Sequence, residues 1–175
     1  MAVIIREASP DDVDVIRDVQ RRTWLATYPN EALGITREDI ETRFREAPET
    51  ARARRERRWW ALCTPPHHSW VALEEDVVIG FCIASQDERE NLIEALYVLP
   101  GYQGRGVGRR LLQTALDWFG EGHEVALNVA SYNEKAIAFY RASGFVSAGP
   151  APLEETVQLA SGVRLPEIRM VRRGA

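Results

Sequence analysis

A chain of 175 residues, 45% hydrophobic and 27% charged, has the balance of an ordinary globular protein and suffices for one compact domain, residues 1–175. Its formal charge of −4 argues against a general nucleic-acid binder, whose domain is usually basic, so no nucleic-acid partner is expected. No apolar run approaches the ~20 residues of a membrane span, and Val3, Ile4 and Ile5 are followed at once by Arg6 and Glu7. The expectation is a soluble, cytoplasmic protein with no membrane partner. Cys63 and Cys82, like His67, His68 and His123, have no metal-ligand spacing; reduced thiols, Cys82 in a strand core, and no metal are expected.

In chain order, Val3 to Ala8 reads as a strand. Ser9-Pro10-Asp11-Asp12 starts a helix, with a capping hydroxyl, an early proline and first-turn acids, and Val13, Ile16, Val19 and Gln20 carry it to about Ala26. Thr36 with Asp39 marks a second helix start, with Ile40 and Phe44 on its inner face. Arg52 to Arg58 holds five arginines in seven residues. It reads as a solvated helical face or linker, with a nucleic-acid patch or attraction of an anionic cofactor as alternatives.

Trp70 to Glu74 and Val77 to Ser85, parted by Glu75-Asp76, read as an antiparallel hairpin. Leu92 to Leu99 is a further strand, ended by Pro100-Gly101. Val107, Leu111, Leu112, Ala115, Leu116 and Phe119 recur at helical period, predicting a helix from near Gly106 to Gly120 or Gly122. Val125 to Val129 alternates as a strand. Asn133 caps a short helix through Ala142, and Phe145 to Ala148 and Glu167 to Val171 are the last strands. The order is mixed α/β, with a strand-loop-helix-strand unit at its centre.

The segment Gln103-Gly104-Arg105-Gly106-Val107-Gly108-Arg109 carries the most chemistry. Glycines let backbone N–H groups approach a ligand, and the helix start adds unpaired donors and a positive dipole end. Together these suit a phosphate or pyrophosphate, with Arg105, Arg109 and Arg110 available for charge-assisted contacts. A Walker loop fails because Val107 stands where lysine is needed, and a dinucleotide fingerprint fails at Arg109.

Gln103-x-x-Gly106-x-Gly108 resembles the Gln/Arg-x-x-Gly-x-Gly/Ala loop of the GNAT superfamily of N-acetyltransferases. Leu96-Tyr97-Val98-x-Pro100 before it and Asn133 to Phe145 after it are similar to that family's flanking motifs, and Arg22 to Tyr28 resembles a segment of a branch that includes polyamine acetyltransferases. Clear resemblance runs from about Leu92 to Phe145; the stretch from Ala47 to Ser69 matches nothing. The resemblance implies a mixed, mostly antiparallel twisted sheet of six or seven strands flanked by about four helices, with a splayed strand pair holding acetyl-CoA as co-substrate. Family members are often dimers, so a homodimer through residues 47–69 or the C-terminal strand is a candidate assembly.

The implied reaction is direct attack of an amine on the acetyl-CoA thioester. It places the thioester carbonyl against backbone N–H groups of Leu96, Tyr97 and Val98, and the pyrophosphate at Gln103, Gly104, Arg105, Gly106, Val107, Gly108 and Arg109, with Asn133 as a further cofactor contact. Tyr140, at the tyrosine position of the second motif, is the implied acid for the departing thiolate; a phenol stays protonated at neutral pH. Glu94 is the candidate base. Strand alternation puts it on the face of Leu92, Leu96 and Val98, where a carboxylate needs a reason to be; a solvent-exposed strand-end glutamate is the other reading. Asn128 inside its strand is a weaker candidate. Asp87, Glu88 and Glu90 would suit an entrance for a cationic amine or be only a charged loop. A small-molecule amine is the expected acceptor, with a protein N-terminus or lysine as the alternative; outside the enzymes, a CoA-binding module without turnover remains.

Overall fold

The computed structural model describes residues 2–45, 49–88 and 90–174. Its strands are β1 (Ile4–Glu7), β2 (His67–Glu74), β3 (Val77–Gln86), β4 (Asn91–Val98), β5 (Val125–Ala130), β6 (Val146–Pro150) and β7 (Glu167–Arg172). They form one sheet in the order β1-β2-β3-β4-β5-β7-β6, antiparallel throughout except where β4 and β5 run parallel. The helices are α1 (Val13–Thr27), α2 (Arg37–Phe44), α3 (Ala51–Cys63), α4 (Val107–Phe119) and α5 (Glu134–Ala142). The parallel pair follows from the crossover: α4 returns the chain to the end of the sheet from which β4 started.

Local chemistry sets most boundaries. Pro10–Asp12 forms a tight 3-10 turn before α1. There the Asp12 carboxylate accepts hydrogen bonds from the Ser9 N–H (2.7 Å), the Ser9 hydroxyl (2.8 Å) and both Arg6 guanidinium nitrogens (2.6 and 2.9 Å). Thr36 and Asp39 make the reciprocal box expected at α2. In the β2–β3 hairpin, Glu75 and Asp76 both take positive φ (50° and 64°), the two-residue geometry that matches strand twist. β2 begins earlier than its apolar run because His67 and His68 still pair with Ser85 and Ala84.

The Arg6 bonds, followed by those from Ser9, hold the Asp12 carboxyl down at about 2. A depressed native pKa stabilises the fold above the unfolded value of about 3.9 and is lost as pH falls from there towards 2. Asp12→Asn is therefore expected to cost about 1–2 kcal/mol at neutral pH in denaturant titration, with the difference from wild type narrowing below about pH 4. Equal stability of the two proteins at neutral pH would refute this.

The sheet separates two packed layers. On one side Leu111, Leu112, Ala115, Leu116 and Phe119 of α4, the face predicted by period, join Ile137 and Tyr140 of α5 over Cys82, Ile93, Val98, Leu127 and Met170. On the other, Ile16 and Val19 of α1 cover Val71, Phe81, Ile83 and Ala95. A third cluster joins Trp24, Tyr28, Ile40 and Phe44 to Ala130 and to Leu159 and Leu165 of the β6–β7 connection. That connection is tied to α2 by the Ser161 N–H, which donates to Asp39 Oδ1 at 3.1 Å.

The arginine-rich stretch is α3, a helix that keeps Arg52, Arg55 and Arg57 on an exposed face, as expected, while Arg58 turns in against α1. Arg58, nearly buried, pairs with Asp14 at 2.6 Å, Arg55 reaches Asp14 and Asp11, and Arg57 pairs with Glu49 at 2.6 Å. Arg55 and Arg58 share one helical face by their spacing, and these two fasten α3 to the start of α1. Ala47 and Pro48 of the unmatched stretch lie outside the described residues. β7, the C-terminal strand, sits between β5 and β6 and so presents no free edge.

Candidate functional site

β4 and β5 part company early. Their ladder joins only Asn91, Leu92 and Ile93 to Val125, Ala126 and Leu127. Beyond Ile93 the β5-side backbone groups of β4 have no strand partner, and the pair opens into a wedge. On the β3 side of β4, Ile83 pairs with Ala95 and Ala84 with Ile93, so one extra residue, Glu94, is inserted into β4 as a bulge.

The bulge resets which way the side chains face. Ile93 packs into the α4–α5 layer, whereas Ala95 packs into the α1 layer with Tyr97 beside it; Leu96 and Val98 return to the α4–α5 layer. Strict alternation had placed Glu94 among Leu92, Leu96 and Val98. That expectation fails because the inserted residue breaks the period. Glu94 instead meets His67 of β2, with His67 Nε2 3.1 Å from Glu94 Oε1 and the two side chains 25% and 32% exposed. It is a partly solvated carboxylate with an imidazole partner, not one enclosed by apolar side chains.

The glycine loop lies at the C-terminal end of β4, where the wedge is open. Gly104 (φ +76°) and Gly106 (φ +81°) take left-handed conformations in which an added Cβ would meet nothing within 4 Å, and Gly106 is the N-cap of α4. Positive φ is what bars larger residues here, since the space is free. At Gly108 a Cβ would make ordinary contacts of 3.7–3.8 Å with Phe139 and Val98, so alanine fits there. Among the described residues, the N–H groups of residues 104–109 donate to no protein acceptor; the first helical bond runs from the Arg110 N–H to the Gly106 carbonyl at 3.1 Å. A row of backbone donors at a helix N-terminus is an anion cradle.

The side chains around the cradle divide. Gln103 Nε2 donates to the Val98 carbonyl at 2.9 Å, securing the end of β4 rather than reaching outward. Arg105 is held by Glu74 at 2.5 Å and lies over the Tyr102 ring, and Arg110 donates to the Val3 carbonyl at 2.6 Å. Arg109 is exposed and makes no ion pair among the described residues, which leaves it the cation available to a bound anion. Asn133 caps α5, its Oδ1 accepting from the Ala136 N–H at 3.2 Å.

Tyr140 lies in the α4–α5 layer, 8% exposed, edge-on to Phe139 and Phe145. Burial first, then the Cys82 thiol and Tyr97, pushes its phenol well above the ordinary value, so it is a proton donor at any physiological pH. On the opposite face, Asn128 donates to Glu155 at 2.8 Å, and Arg169 bonds Glu155 at 2.7 Å and also Glu90. Asp87 accepts from the Glu90 N–H at 3.0 Å and closes the β3–β4 turn. Glu90 is thus neutralised by Arg169, and Asp87 serves the turn; neither is a free charge at an entrance.

Sequence reading passed over one carboxylate. Glu167 opens β7 opposite Ala130, at the wide end of the wedge. Burial, with a smaller contribution from Glu155, raises its carboxyl, while the Val157 N–H and Arg43 draw it down less. An acid directly after Pro166, opening the run Ile168-x-Met170-Val171, was the available signal.

Several known proteins are similar to this chain in sequence or in fold. N-alpha-acetyltransferase RimI of Mycobacterium tuberculosis is 38% identical over 92 residues, 50% of this chain and 58% of RimI. Peptidyl-lysine N-acetyltransferase YjaB of Escherichia coli is 34% identical over 87 residues, 49% of this chain and 54% of YjaB. The matched stretch thus spans little more than half the length of these relatives. PaiA N-acetyltransferase from Thermoplasma acidophilum, solved in complex with coenzyme A, superposes with a TM-score of 0.71 at 23% identity over 99% of both chains. The apo form of E. coli YjaB does so with a TM-score of 0.63 at 25% identity over 100% of both chains. No helix among the described residues is long and apolar enough to cross a membrane. The family model described as the acetyltransferase (GNAT) family matches residues 17–145, spanning the bulged strand, the glycine loop and the helix of Tyr140, and the chain belongs to that family.

Proposed function

We propose that this protein transfers the acetyl group of acetyl-CoA to a primary amine by direct attack within a ternary complex. The observation that carries the reading is the run of unpartnered N–H groups at residues 104–109, set at the open end of the β4–β5 wedge. In this reading those donors and Arg109 hold the pyrophosphate, and the pantetheine arm pairs along β4 in the wedge. The thioester carbonyl accepts from backbone N–H groups in Leu96 to Val98, where the tetrahedral oxyanion develops. Tyr140, on one side of the sheet, protonates the departing thiolate. Glu94, on the other, takes the amine proton directly or through a water, with His67 orienting it.

A small cationic amine is the acceptor we favour. The α1 side of the wedge carries Glu94 and Glu167, and the β6–β7 connection is fastened onto α1 and α2 beside it. A protein acceptor is the second reading, favoured by the likeness to RimI and YjaB, named for N-alpha and peptidyl-lysine acetylation. The test is product mass analysis after incubation with acetyl-CoA and three acceptors: diaminobutane, a short alanyl peptide amide, and the same peptide N-blocked but containing lysine. Acetylation of the diamine with higher kcat/KM than either peptide supports the small-amine reading; preference for a peptide reverses it. Tight acetyl-CoA binding with no acetylated product would leave a CoA-binding module.

Glu94→Gln is expected to lower kcat by about tenfold to a hundredfold while acetyl-CoA affinity stays unchanged. An undiminished kcat in this variant would remove Glu94 from proton transfer.

A further inference from the structure

We propose that Glu167, framed by Tyr28, Tyr97 and Tyr132, is the subsite that captures the acceptor's ammonium group before attack. The inference rests on the acetyltransferase reading and deepens it by assigning a recognition residue on β7, a strand outside the cofactor unit. Glu94 then handles the proton, and Glu167 selects what enters.

The geometry begins with the wedge. β5 ends at Ala130, whose partner across the ladder is Glu167, so this carboxylate sits where β4 and β5 are furthest apart. Three tyrosines from three separate elements converge there and pack on the same cluster: Tyr28 at the end of α1, Tyr97 of β4, and Tyr132 after β5. The Tyr28 and Tyr97 hydroxyls lie 3.3 Å apart, and the Tyr132 hydroxyl donates to the Tyr28 carbonyl at 2.9 Å. The Glu167 charge reaches all three rings, adding to burial in raising their phenols, that of Tyr132 to about 12.

Glu167 itself is under-compensated. Among the described residues it makes no ion pair, and the one hydrogen bond its carboxylate receives comes from the Val157 N–H to Oε2 at a long 3.3 Å. Oε1 has no partner there. A half-buried carboxylate held this way gains most from a cation that brings its own donors, and a primary ammonium has three. Tyrosine rings beside it supply faces that attract a cation and hydroxyls that accept from it. The other nearby acids are spent, since Glu155 and Glu90 are bound by Arg169. Arg43, stacked over the Trp24 ring at 4.9 Å, acts on Glu167 through its charge but makes no ion pair with it among the described residues. The firm tie to the β6–β7 connection is through the backbone, where the Ala151 N–H donates to the Glu167 carbonyl at 3.0 Å, so the carboxylate is not needed for that attachment.

The experiment is steady-state kinetics with diaminobutane and with the short alanyl peptide amide, at saturating acetyl-CoA, on wild type, Glu167→Gln and Glu167→Asp. Glu167→Gln is expected to raise the KM of whichever probe wild type acetylates by about tenfold or more, leaving kcat within about threefold and the acetyl-CoA Kd unchanged. Glu167→Asp, which keeps the charge, recovers most of the loss. An unchanged amine KM overturns the subsite while leaving the acetyltransferase reading intact. A parallel loss of acetyl-CoA affinity in Glu167→Gln assigns a structural role and overturns it as well. Failure of wild type to acetylate either probe or the N-blocked lysine peptide removes both readings together.

Discussion

Tyr140→Phe is expected to lower turnover by about tenfold or more, at least ~1.4 kcal/mol of barrier, with acetyl-CoA affinity within about twofold of wild type. The substitution removes one oxygen and leaves the ring contacts with Phe139 and Phe145 in place, so packing is preserved. What it removes is a proton donor whose phenol burial holds far above neutral pH. In the proposed mechanism this buried phenol is the fixed donor to the thiolate as the C–S bond breaks. Turnover rather than binding carries the effect, because the proton is needed only as the thiolate departs. A fully active Tyr140→Phe protein would take Tyr140 out of the mechanism. The nearby Cys82 thiol is fully buried and raised by burial, so it stays protonated and is no nucleophile for the acetyl group.

Gly106→Glu is expected to weaken acetyl-CoA binding by about a hundredfold or more, ~2.7 kcal/mol, in a protein that still folds. The new side chain has room, since a Cβ at Gly106 meets nothing within 4 Å. The left-handed backbone (φ +81°) costs an L-residue about 1–2 kcal/mol, a local strain the fold survives. The larger effect is competition: a carboxylate at the α4 N-cap occupies the donors of residues 104–109 and repels a pyrophosphate. Gly106→Ala separates the two causes, since it carries the strain without the charge and should keep most of the affinity. Calorimetric titration of the three proteins reads this directly. Wild-type affinity in a folded Gly106→Glu protein would place the cofactor elsewhere.

The glycine loop and the helix that follows it were legible because their signals are local. Glycines at 104 and 106 announce positive φ, and the period from Val107 to Phe119 announces the buried face of α4; both lie within one stretch of chain. Asn133 and Thr36 were readable as caps for the same reason. The proposed acceptor side was not, because it is assembled from residues far apart in sequence. The Glu94 bulge depends on how β4 registers with β3, and a period-2 reading passes straight through it. The role proposed for Glu167 emerges only when β7 is placed beside β5, with Tyr28, Tyr97 and Tyr132 packed on the same cluster as Ala130. The solvated face of α3 was readable from its run of arginines, but the inward role of Arg58 was not, because Asp14 lies some forty residues earlier in sequence.

The central claim is that the amine attacks the thioester directly, with both substrates bound and no acetyl-enzyme between them. Initial velocities measured against acetyl-CoA at several fixed amine concentrations test it most directly. The account predicts double-reciprocal lines that intersect, as a ternary complex requires. Parallel lines, the pattern of a ping-pong reaction through a covalent acetyl-enzyme, would contradict it.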